Sequence, residues 1–278
     1  MKALFFGTSA FAVPSLRIVA ERAQLAGVVT QPDRRAGRGQ RLRGSPVKAA
    51  AGDLGIPTYE PQALRAFARE IQTEGFDLFV LAAYGRILPQ ELLDLPRLGA
   101  LNVHPSLLPK YRGATPIQSA IMHGERETGV SIMLMDSGLD TGDVVLQARV
   151  AIAAAETYGE LHDRLATLGA ELLAETIEIA RSGKLVGQPQ VGEPSITRPI
   201  AKKDLLVDLA LPPELVVDRV RAFSPKPAVR AVIDGETVKL LRAHVAPDGL
   251  LAIDELIAPN RGKMSGDAYE QSRRSAEG

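Results

Sequence analysis

The stretch from Leu101 to Asp143 constrains the fold of this chain more than any other segment. It begins with an apolar run that carries two polar residues, Asn102 and His104, at a spacing of two. In a β-strand this spacing places both side chains on the same side. The segment SLLPKYRGATP follows, and its Pro and Gly residues exclude a continuous helix. The sequence therefore predicts a strand that presents an amide and an imidazole, followed by a loop.

An acidic loop closes the same stretch. The apolar run VSIMLM precedes the sequence SGLDTGD, in which Asp140 and Asp143 lie close to Gly residues. A carboxylate at either position can orient the imidazole of His104. An amide beside an imidazole can stabilise an oxyanion while the ring transfers a proton. A single His at a strand end is more often an ordinary structural residue. The prediction of catalysis therefore rests on the combination of Asn102, His104, the segment SLLPKYRGATP and the acidic loop.

Composition excludes several other kinds of chemistry. The chain of 278 residues has no Cys, which excludes disulfides, thiolate catalysis and Cys-ligated zinc. Its four His residues show no metal-ligand spacing, so we expect no metal. The formal net charge is zero, so contact with RNA has to come from a local basic patch. We see no signal peptide or membrane-spanning run and expect a cytoplasmic protein without membrane contact.

The order of the elements predicts an α/β fold. An apolar strand at residues 3–6 ends at Gly7, and Ser9 and Pro14 predict the start of a helix. This turn lacks the complete G-x-G-x-x-G pattern, which disfavours NAD. Further apolar runs alternate with amphipathic helices, and the runs on either side of SGLDTGD predict a hairpin added to a parallel sheet.

The segment from Asp33 to Lys48 holds a concentration of positive charge. Its basic residues surround three Gly residues and are Arg34, Arg35, Arg38, Arg41, Arg43 and Lys48. One interpretation is a solvated, mobile loop. The other is a phosphate-binding loop, because Arg makes bidentate contacts to phosphate and Gly leaves the backbone flexible. The residues alone leave both interpretations open.

The C-terminal third predicts a second, smaller domain. A polar segment rich in Gly and Pro follows the long amphipathic helix and has the composition of a linker. Beyond it lie a helix, a hairpin with its turn at Asp234–Gly235, a further strand and a short final helix. We predict a catalytic domain at residues 1–189, a linker at 190–203 and a small β domain at 204–278.

These motifs resemble the folate-dependent formyltransferases, whose signature is Asn-x-His-x-Ser-Leu-Leu-Pro with a later LDTGD-type loop. The resemblance implies a Rossmann-like domain with a mixed, mostly parallel sheet. It implies Asn102, His104 and Asp140 as catalytic residues and 10-formyltetrahydrofolate as the formyl donor, without a metal. The residues implied to contact the folate are Ser106, Leu107, Leu108, Pro109, Tyr84, Gly85 and Ile87.

Within that family, QPDR-x-AGRG resembles the loop of the branch that acts on methionyl-tRNA. This implies formyl transfer to the free amino group of methionyl-initiator-tRNA for translation initiation, and we expect a monomer. The residues implied to contact the tRNA are Arg34, Arg35, Arg38, Arg41 and Arg43. The family has Pro where Arg35 stands, and its key loop Arg falls on Arg38.

The last part of the chain resembles the family's C-terminal barrel, which is similar to an OB-fold and binds tRNA. We expect a shortened barrel, because the sequence between Val245 and Leu250 is too short for a hairpin that the family has there. A Trp usual in this domain is also absent.

Two other functions stay open. One is formyl transfer to an amino sugar or another small amine by the same trio of residues. The other is an RNA-binding module whose catalytic domain has decayed. The Arg-rich loop and the second domain disfavour the first, and the intact trio disfavours the second.

Overall fold

The computed structural model describes residues 1–36, 41–183 and 185–277. The strands are β1 (Lys2–Gly7), β2 (Gln24–Val29), β3 (Arg34–Ala36), β4 (Arg41–Arg43), β5 (Thr58–Tyr59), β6 (Leu78–Ala82), β7 (Ala100–His104), β8 (Arg112–Gly113), β9 (Glu127–Leu134), β10 (Val144–Ala151), β11 (Ile196–Thr197), β12 (Val229–Ile233), β13 (Glu236–Val245), β14 (Leu251–Ala258) and β15 (Gly262–Ser265). The helices are α1 (Ala12–Arg22), α2 (Pro46–Asp53), α3 (Leu64–Ile71), α4 (Gln90–Leu93), α5 (Pro116–Met122), α6 (Tyr158–Arg181), α7 (Pro213–Phe223) and α8 (Gly266–Glu277), with a 3₁₀ turn at Lys202–Leu205.

A mixed sheet forms the centre of the N-terminal part. Within the described residues it has seven strands in the order β10-β9-β7-β6-β1-β2-β5. β1 runs parallel to β2 and β6, and β6 runs parallel to β7. β9 runs antiparallel to β7, and β10 lies beside it at the edge. The predicted α/β fold, with two strands added to a parallel sheet, is therefore confirmed.

The centre of this sheet is buried on both faces. Phe5, Phe6 and Phe79 on β1 and β6 are fully buried, and the rings of Phe6 and Phe79 lie 5.2 Å apart. Burial of a side chain of this size contributes about 1.5–3 kcal/mol. Helix α6 packs closely on β7, since a Cβ added to Gly169 would lie 2.7 Å from Val103. The strand that carries Asn102 and His104 is thus held in a rigid layer.

The described chain divides into two compact units. One unit comprises Met1–Ala114, Gly129–Arg149 and Asp163–Ile196, and the other comprises Thr115–Thr128, Val150–His162 and Thr197–Gly278. The second unit therefore draws on two short pieces of chain that precede the C-terminal third. The boundaries predicted from the sequence, at 189 and 203, remain a prediction.

The second unit contains an antiparallel sheet. In the part of the chain that the structure describes, this sheet has four strands in the order β12-β13-β14-β15. The turn between β12 and β13 has positive φ at Asp234 (46°) and Gly235 (80°), as the sequence predicted for a two-residue hairpin. Strand β15 was not predicted, because GKMS shows neither alternation nor β-branched residues.

Two segments predicted as loops are more ordered than expected. In the predicted linker, Ser195 accepts hydrogen bonds from two backbone N–H groups, Tyr111 to its Oγ and Arg112 to its carbonyl, both at 2.8 Å. In the basic segment, β3 pairs antiparallel with β4, and α2 begins at Pro46. Lys48 lies in this helix and forms ion pairs with Asp33 (2.9 Å) and Glu60. Ser195 and Lys48 therefore make specific contacts in segments that the sequence predicted as a linker and a loop.

Within the described residues, no helix combines the length and the apolar character that a membrane span requires.

Candidate active site

Strand β7 presents two polar side chains at the edge of the predicted site. Asn102 is paired with Leu81 of β6 and Met133 of β9, while His104 is paired with Ser131 of β9. Their neighbours Leu101 and Val103 are fully buried. The alternation expected of a strand therefore separates the packing residues from the two polar ones, as the sequence predicted.

Asp140 joins these two side chains into a trio. Its Oδ1 lies 3.4 Å from the amide nitrogen of Asn102, and its Oδ2 lies 3.6 Å from Nδ1 of His104. The backbone N–H of Gly113 donates to Oδ2 at 2.7 Å. Asp143, the other candidate in the same loop, is exposed. Of the two carboxylates that the sequence left open, Asp140 is the one that reaches the imidazole.

The ring of His104 has an acceptor at each nitrogen. Nε2 lies 3.0 Å from the carbonyl oxygen of Tyr111. A carbonyl accepts only, so we assign the proton of the neutral ring to Nε2, which leaves Nδ1 facing Asp140. The ring is only 4% exposed. If Nδ1 gains a proton, both N–H groups keep a partner, which suits a residue that takes up and returns a proton.

The loop that carries Asp140 has a restricted conformation. Asp140 has a φ of 51°, in the left-handed region where Asp and Asn are more frequent than other non-Gly residues. The side chain of Asp136 accepts from the N–H of Gly138 (3.0 Å) and from the hydroxyl of Thr141 (2.7 Å). A Cβ at Gly142 would lie 1.7 Å from the carbonyl of Leu134, so only Gly fits there. These contacts set the direction of the carboxylate.

A buried network holds the turn that follows His104. Ser106 is fully buried, and its hydroxyl donates to the carbonyl of Lys110 at 2.6 Å. The hydroxyl of Ser131 donates to the carbonyl of Ser106 (2.7 Å) and accepts from the N–H of Leu108 (3.2 Å). The amide of Gln147 donates to the same hydroxyl at 2.8 Å. Sequence reasoning missed Ser131 and Gln147, because single polar residues within strands carry no distinct signal.

The residues implied to contact the folate differ in exposure. The side chain of Ser106 is inside the network above, Leu108 and Pro109 are buried, and Leu107 is partly buried. Ile87 is 75% exposed and offers apolar surface. Ser106 is 0% exposed as a whole residue, backbone included, and its contact with the folate stays a prediction.

Tyr84 belongs to the core rather than to an open surface. It is 3% exposed, and its ring packs edge-on against Phe6 at 5.6 Å. Burial raises the pKa of its phenol. Its carbonyl accepts from the hydroxyl of Thr8 (2.9 Å) and the amide of Gln31 (2.7 Å), just before Gly85 with a φ of 78°. The contact of Tyr84 with the donor likewise stays a prediction, since the whole residue is buried and its carbonyl already accepts two hydrogen bonds.

The basic segment enters the structure only in part. β3 and β4 place Arg34 opposite Arg43 and Arg35 opposite Leu42, while Arg41 lies opposite Ala36. Arg38 lies outside the described residues. Among the residues that the structure describes, no group of three or more His, Asp or Glu side chains can hold a metal ion.

The mixed sheet carries the Asn–His–Asp trio at the carboxyl end of strand β7, and the chain belongs to the formyl transferase family. The family described as "Formyl transferase" matches residues 1–177, and "Formyl transferase, C-terminal domain" matches residues 199–249. Curated relatives carry the more specific name methionyl-tRNA formyltransferase. The Geobacter sulfurreducens protein is 45% identical over 88% of this chain and 79% of its own length. The Xanthomonas campestris pv. campestris protein is 47% identical over 91% of this chain and 86% of its own length.

Solved structures share the fold at much lower identity. An N-formyltransferase from Helicobacter canadensis, solved with folinic acid and dTDP-3-aminofucose, has a TM-score of 0.68 and 19% identity, covering 88% of each chain. A 4-N formyltransferase from Francisella tularensis has a TM-score of 0.69 and 17% identity, covering 86% of this chain and 96% of its own. At this identity the likeness supports the fold alone.

Proposed function

We propose that this chain transfers the formyl group of 10-formyltetrahydrofolate to the free amino group of methionyl-initiator-tRNA. The observation that carries the proposal is the carboxylate of Asp140, placed within 3.4 Å of the Asn102 amide and 3.6 Å of the His104 ring. Relatives with 45% to 47% identity are named for this activity. The products are formylmethionyl-tRNA, which serves translation initiation, and tetrahydrofolate.

The amide of Asn102 stabilises the charge that develops on the formyl oxygen. A free α-amine has a pKa near ~8, so a useful neutral fraction attacks the formyl carbon at neutral pH. One N–H of Asn102 faces Asp140, and the other donates to the oxyanion. A donor of this kind typically contributes about 3 kcal/mol to transition-state stabilisation.

His104 transfers the proton that the reaction moves. The new bond between the amine nitrogen and the formyl carbon leaves a positive charge on that nitrogen. Nδ1 of His104 takes its proton next to Asp140 and returns it to the folate nitrogen as the old carbon–nitrogen bond breaks. Atoms and charge balance without a further reactant.

For the donor, we propose contacts with the turn after His104 and with the turn at Tyr84. A flat ring with polar edges requires apolar surface and backbone hydrogen-bonding groups. Exposed Ile87 and Leu139 offer the first, and the backbone of partly exposed Leu107 and of exposed Gly85 offers the second. We likewise propose contact with the folate donor for the residues that the family resemblance implied, which are Ser106, Leu107, Leu108, Pro109, Tyr84, Gly85 and Ile87.

For the tRNA, we propose two basic surfaces. One is the segment with Arg34, Arg35, Arg38, Arg41 and Arg43. The other is on the antiparallel sheet, where Arg230 of β12 and Lys239 of β13 are exposed cross-strand partners. Like charges placed opposite each other destabilise a sheet, which suggests that they are kept to bind a polyanion.

The reaction is tested by following labelled formyl groups from 10-formyltetrahydrofolate. We expect transfer to methionyl-initiator-tRNA, and far slower transfer to free methionine and to a sugar nucleotide with a free amine. Faster transfer to the amino sugar would overturn the proposal and support the alternative. Binding of tRNA without transfer to any acceptor would support the RNA-binding module.

The Arg-rich segment has its own test. Arg38→Ala is expected to lower kcat/KM for methionyl-tRNA about 10-fold or more, with little change in KM for the donor, since Arg contacts phosphate as a planar fork. Arg38→Lys is expected to recover part of the loss. If the rate depends on tRNA and salt concentration in the same way in wild type and in Arg38→Ala, the segment does not bind tRNA through Arg38, and the interpretation as a solvated loop is favoured.

We further propose a catalytic domain at 1–189, a tRNA-binding domain at 204–278, a monomeric state and a cytoplasmic location. The family matches at 1–177 and 199–249 support the division. Translation initiation takes place in the cytoplasm, which supports the location. Sedimentation at micromolar concentration tests the monomer, and a stable dimer would contradict it.

A further inference from the structure

The side chain of Gln190 uses its full hydrogen-bonding capacity next to the proposed site. Its amide nitrogen donates to the carbonyl of Asp140 at 2.9 Å and to the carbonyl of Gly142 at 2.8 Å. Its amide oxygen accepts from Arg112, at 3.1 Å from Nε and 2.7 Å from Nη2. One amide thus connects a guanidinium fork to the backbone of the acidic loop.

The contact of Gln190 with the loop restrains the backbone of Asp140, whose conformation is strained. Asp140 has a left-handed backbone, which costs a non-Gly residue about 1 kcal/mol or more. The two carbonyls that Gln190 holds lie on either side of Thr141. A displaced carbonyl at Asp140 rotates the attached side chain away from Asn102 and His104.

Strand β8 closes the arrangement. The N–H of Gly113 donates to the carboxylate of Asp140 at 2.7 Å, and the preceding residue, Arg112, holds Gln190. Arg112 is itself held through its backbone N–H, which donates to Ser195 at 2.8 Å. β8 therefore restrains both the carboxylate of Asp140 and, through Gln190, its backbone.

We infer that Gln190 is a positioning residue for the proposed formyl transfer, held by Arg112 and acting through the backbone of Asp140. This inference rests on the proposed function. The side chain of Gln190 touches Asp140 only at the carbonyl, so its effect on the reaction passes through the placement of the carboxylate.

The main alternative is that Gln190 merely attaches its segment to β8. Gln190→Glu separates the two roles. A Glu side chain keeps the contact with Arg112 and turns it into an ion pair, but it cannot donate to the two carbonyls. If Gln190 only attaches the segment, this variant stays fully active. If it positions Asp140, the variant loses turnover while most of its stability is kept.

The experiment compares Gln190→Glu and Gln190→Met with a matched control, Gln188→Glu. Gln188 lies two residues earlier with an exposed side chain, and only its backbone pairs with Val144. We expect both Gln190 variants to lower kcat about 10- to 100-fold, the range that misplacement of a catalytic group produces. KM for both substrates is expected to stay within about threefold. The melting temperature is expected to stay within a few degrees of wild type, since the lost hydrogen bonds cost some stability, and the control is expected to match wild type.

A double variant provides a second readout. In an Asp140→Asn background, Gln190→Met is expected to cost less than about twofold, because the group that it positions is already impaired. A wild-type kcat for Gln190→Glu, or an equal loss in both backgrounds, would overturn the inference. If the Gln190 variants fail to fold, Arg112→Lys decides, since Lys lacks the fork and must also lower kcat.

The outcome is separable from that of the proposed function. If wild type formylates a different amine better than methionyl-tRNA, the proposed acceptor is wrong. The same variants are then measured with that amine, and the inference about Gln190 stands or falls on their kcat.

Discussion

The trio at β7 and the basic pair on the antiparallel sheet differ in how their polar groups are held. In the trio, both oxygens of Asp140 and both ring nitrogens of His104 lie near a protein partner. Arg230 and Lys239 are exposed cross-strand partners, and neither takes part in an ion pair among the described residues.

This difference reflects how much movement of the side chains each function allows. Proton transfer between groups about 3 Å apart requires them to be fixed in advance, and misplacement by 1 Å can cost 100-fold. Attraction of a long cationic side chain to a phosphate persists while the side chain moves. Fixed groups that face one another, as in the trio, therefore suit chemistry, and an exposed charge beside a like charge suits binding.

The largest expected effect comes from removing the fixed groups. His104→Ala is expected to lower kcat about 1,000-fold or more, since general acid–base catalysis contributes about 100- to 10,000-fold. Asp140→Asn keeps the size and the left-handed backbone and is expected to lose about 100-fold. Single-turnover transfer of labelled formyl groups measures both losses.

Folding of these variants is controlled by thermal melting. His104 is 4% exposed, so His104→Ala is expected to lower the melting temperature by a few degrees, whereas Asp140→Asn keeps the side-chain size and is expected to change it little. Near-normal turnover in either folded variant removes that residue from the proposed mechanism.

A smaller effect is expected from the basic pair. Arg230→Ala combined with Lys239→Ala is expected to weaken binding of methionyl-tRNA about 10-fold. Each lost phosphate contact lowers the slope of log affinity against log salt by about 0.7 to 0.9, so the slope is expected to fall by about 1.5. The value of kcat at saturating tRNA is expected to stay unchanged, which filter binding and steady-state kinetics at two salt concentrations can check.

Arg65→Ala combined with Arg69→Ala is the matched control, because it removes two exposed cations from α3. An equal change of salt slope in this control would show that the effect comes from net charge. In that case the exposed pair of Arg230 and Lys239 is not a specific tRNA contact, and its contrast with the trio no longer indicates binding.

Local patterns in the sequence were sufficient for the strand and for a carboxylate near it, while the choice of Asp140 over Asp143 came from the family resemblance. The spacing of Asn102 and His104 predicts their common side, and the Gly-rich loop predicts a carboxylate near them. The turn at Asp234–Gly235 follows from the same kind of local rule. Each of these inferences needs only neighbouring residues or a motif of a few letters.

Contacts between distant segments were not predictable in this way. Gln190 reaches Asp140 across fifty positions, from a segment whose Gly and Pro content is typical of a linker. The carbonyl of Tyr111 and the N–H of Gly113 belong to the backbone, which is the same for every residue type. Their roles become visible only when the loop geometry is known.

The smallest expected effect comes from Glu160, a carboxylate that is held outside the site. It accepts from the N–H (2.8 Å) and the hydroxyl (2.7 Å) of Thr157 and from Arg242 (2.6 Å) at the start of α6. The backbone hydrogen bond from Thr157, more than the hydroxyl and Arg242, lowers the pKa of Glu160 from 4.5 to about 2. Since its side chain is 50% exposed, solvent screening limits the contribution to about 0–1 kcal/mol.

The sign of the pH dependence follows from the lowered pKa. The stabilisation by Glu160 is fully present above pH 4.5, the ordinary pKa of Glu, and is lost as the pH falls through about 2. Glu160→Gln is therefore expected to be less stable than wild type at pH 7, with the difference shrinking between pH 4.5 and 2, as measured by urea unfolding.

Glu171→Gln, exposed on the same helix, is the control. Formyl transfer at pH 7 is expected to be unchanged, because the hydrogen bonds that hold Glu160 join it to no residue of the trio. A difference in stability that stays constant down to pH 2 would show that the charge of Glu160 does not contribute to stability. A large loss of kcat would show that Glu160 affects the reaction although its hydrogen bonds do not reach the trio.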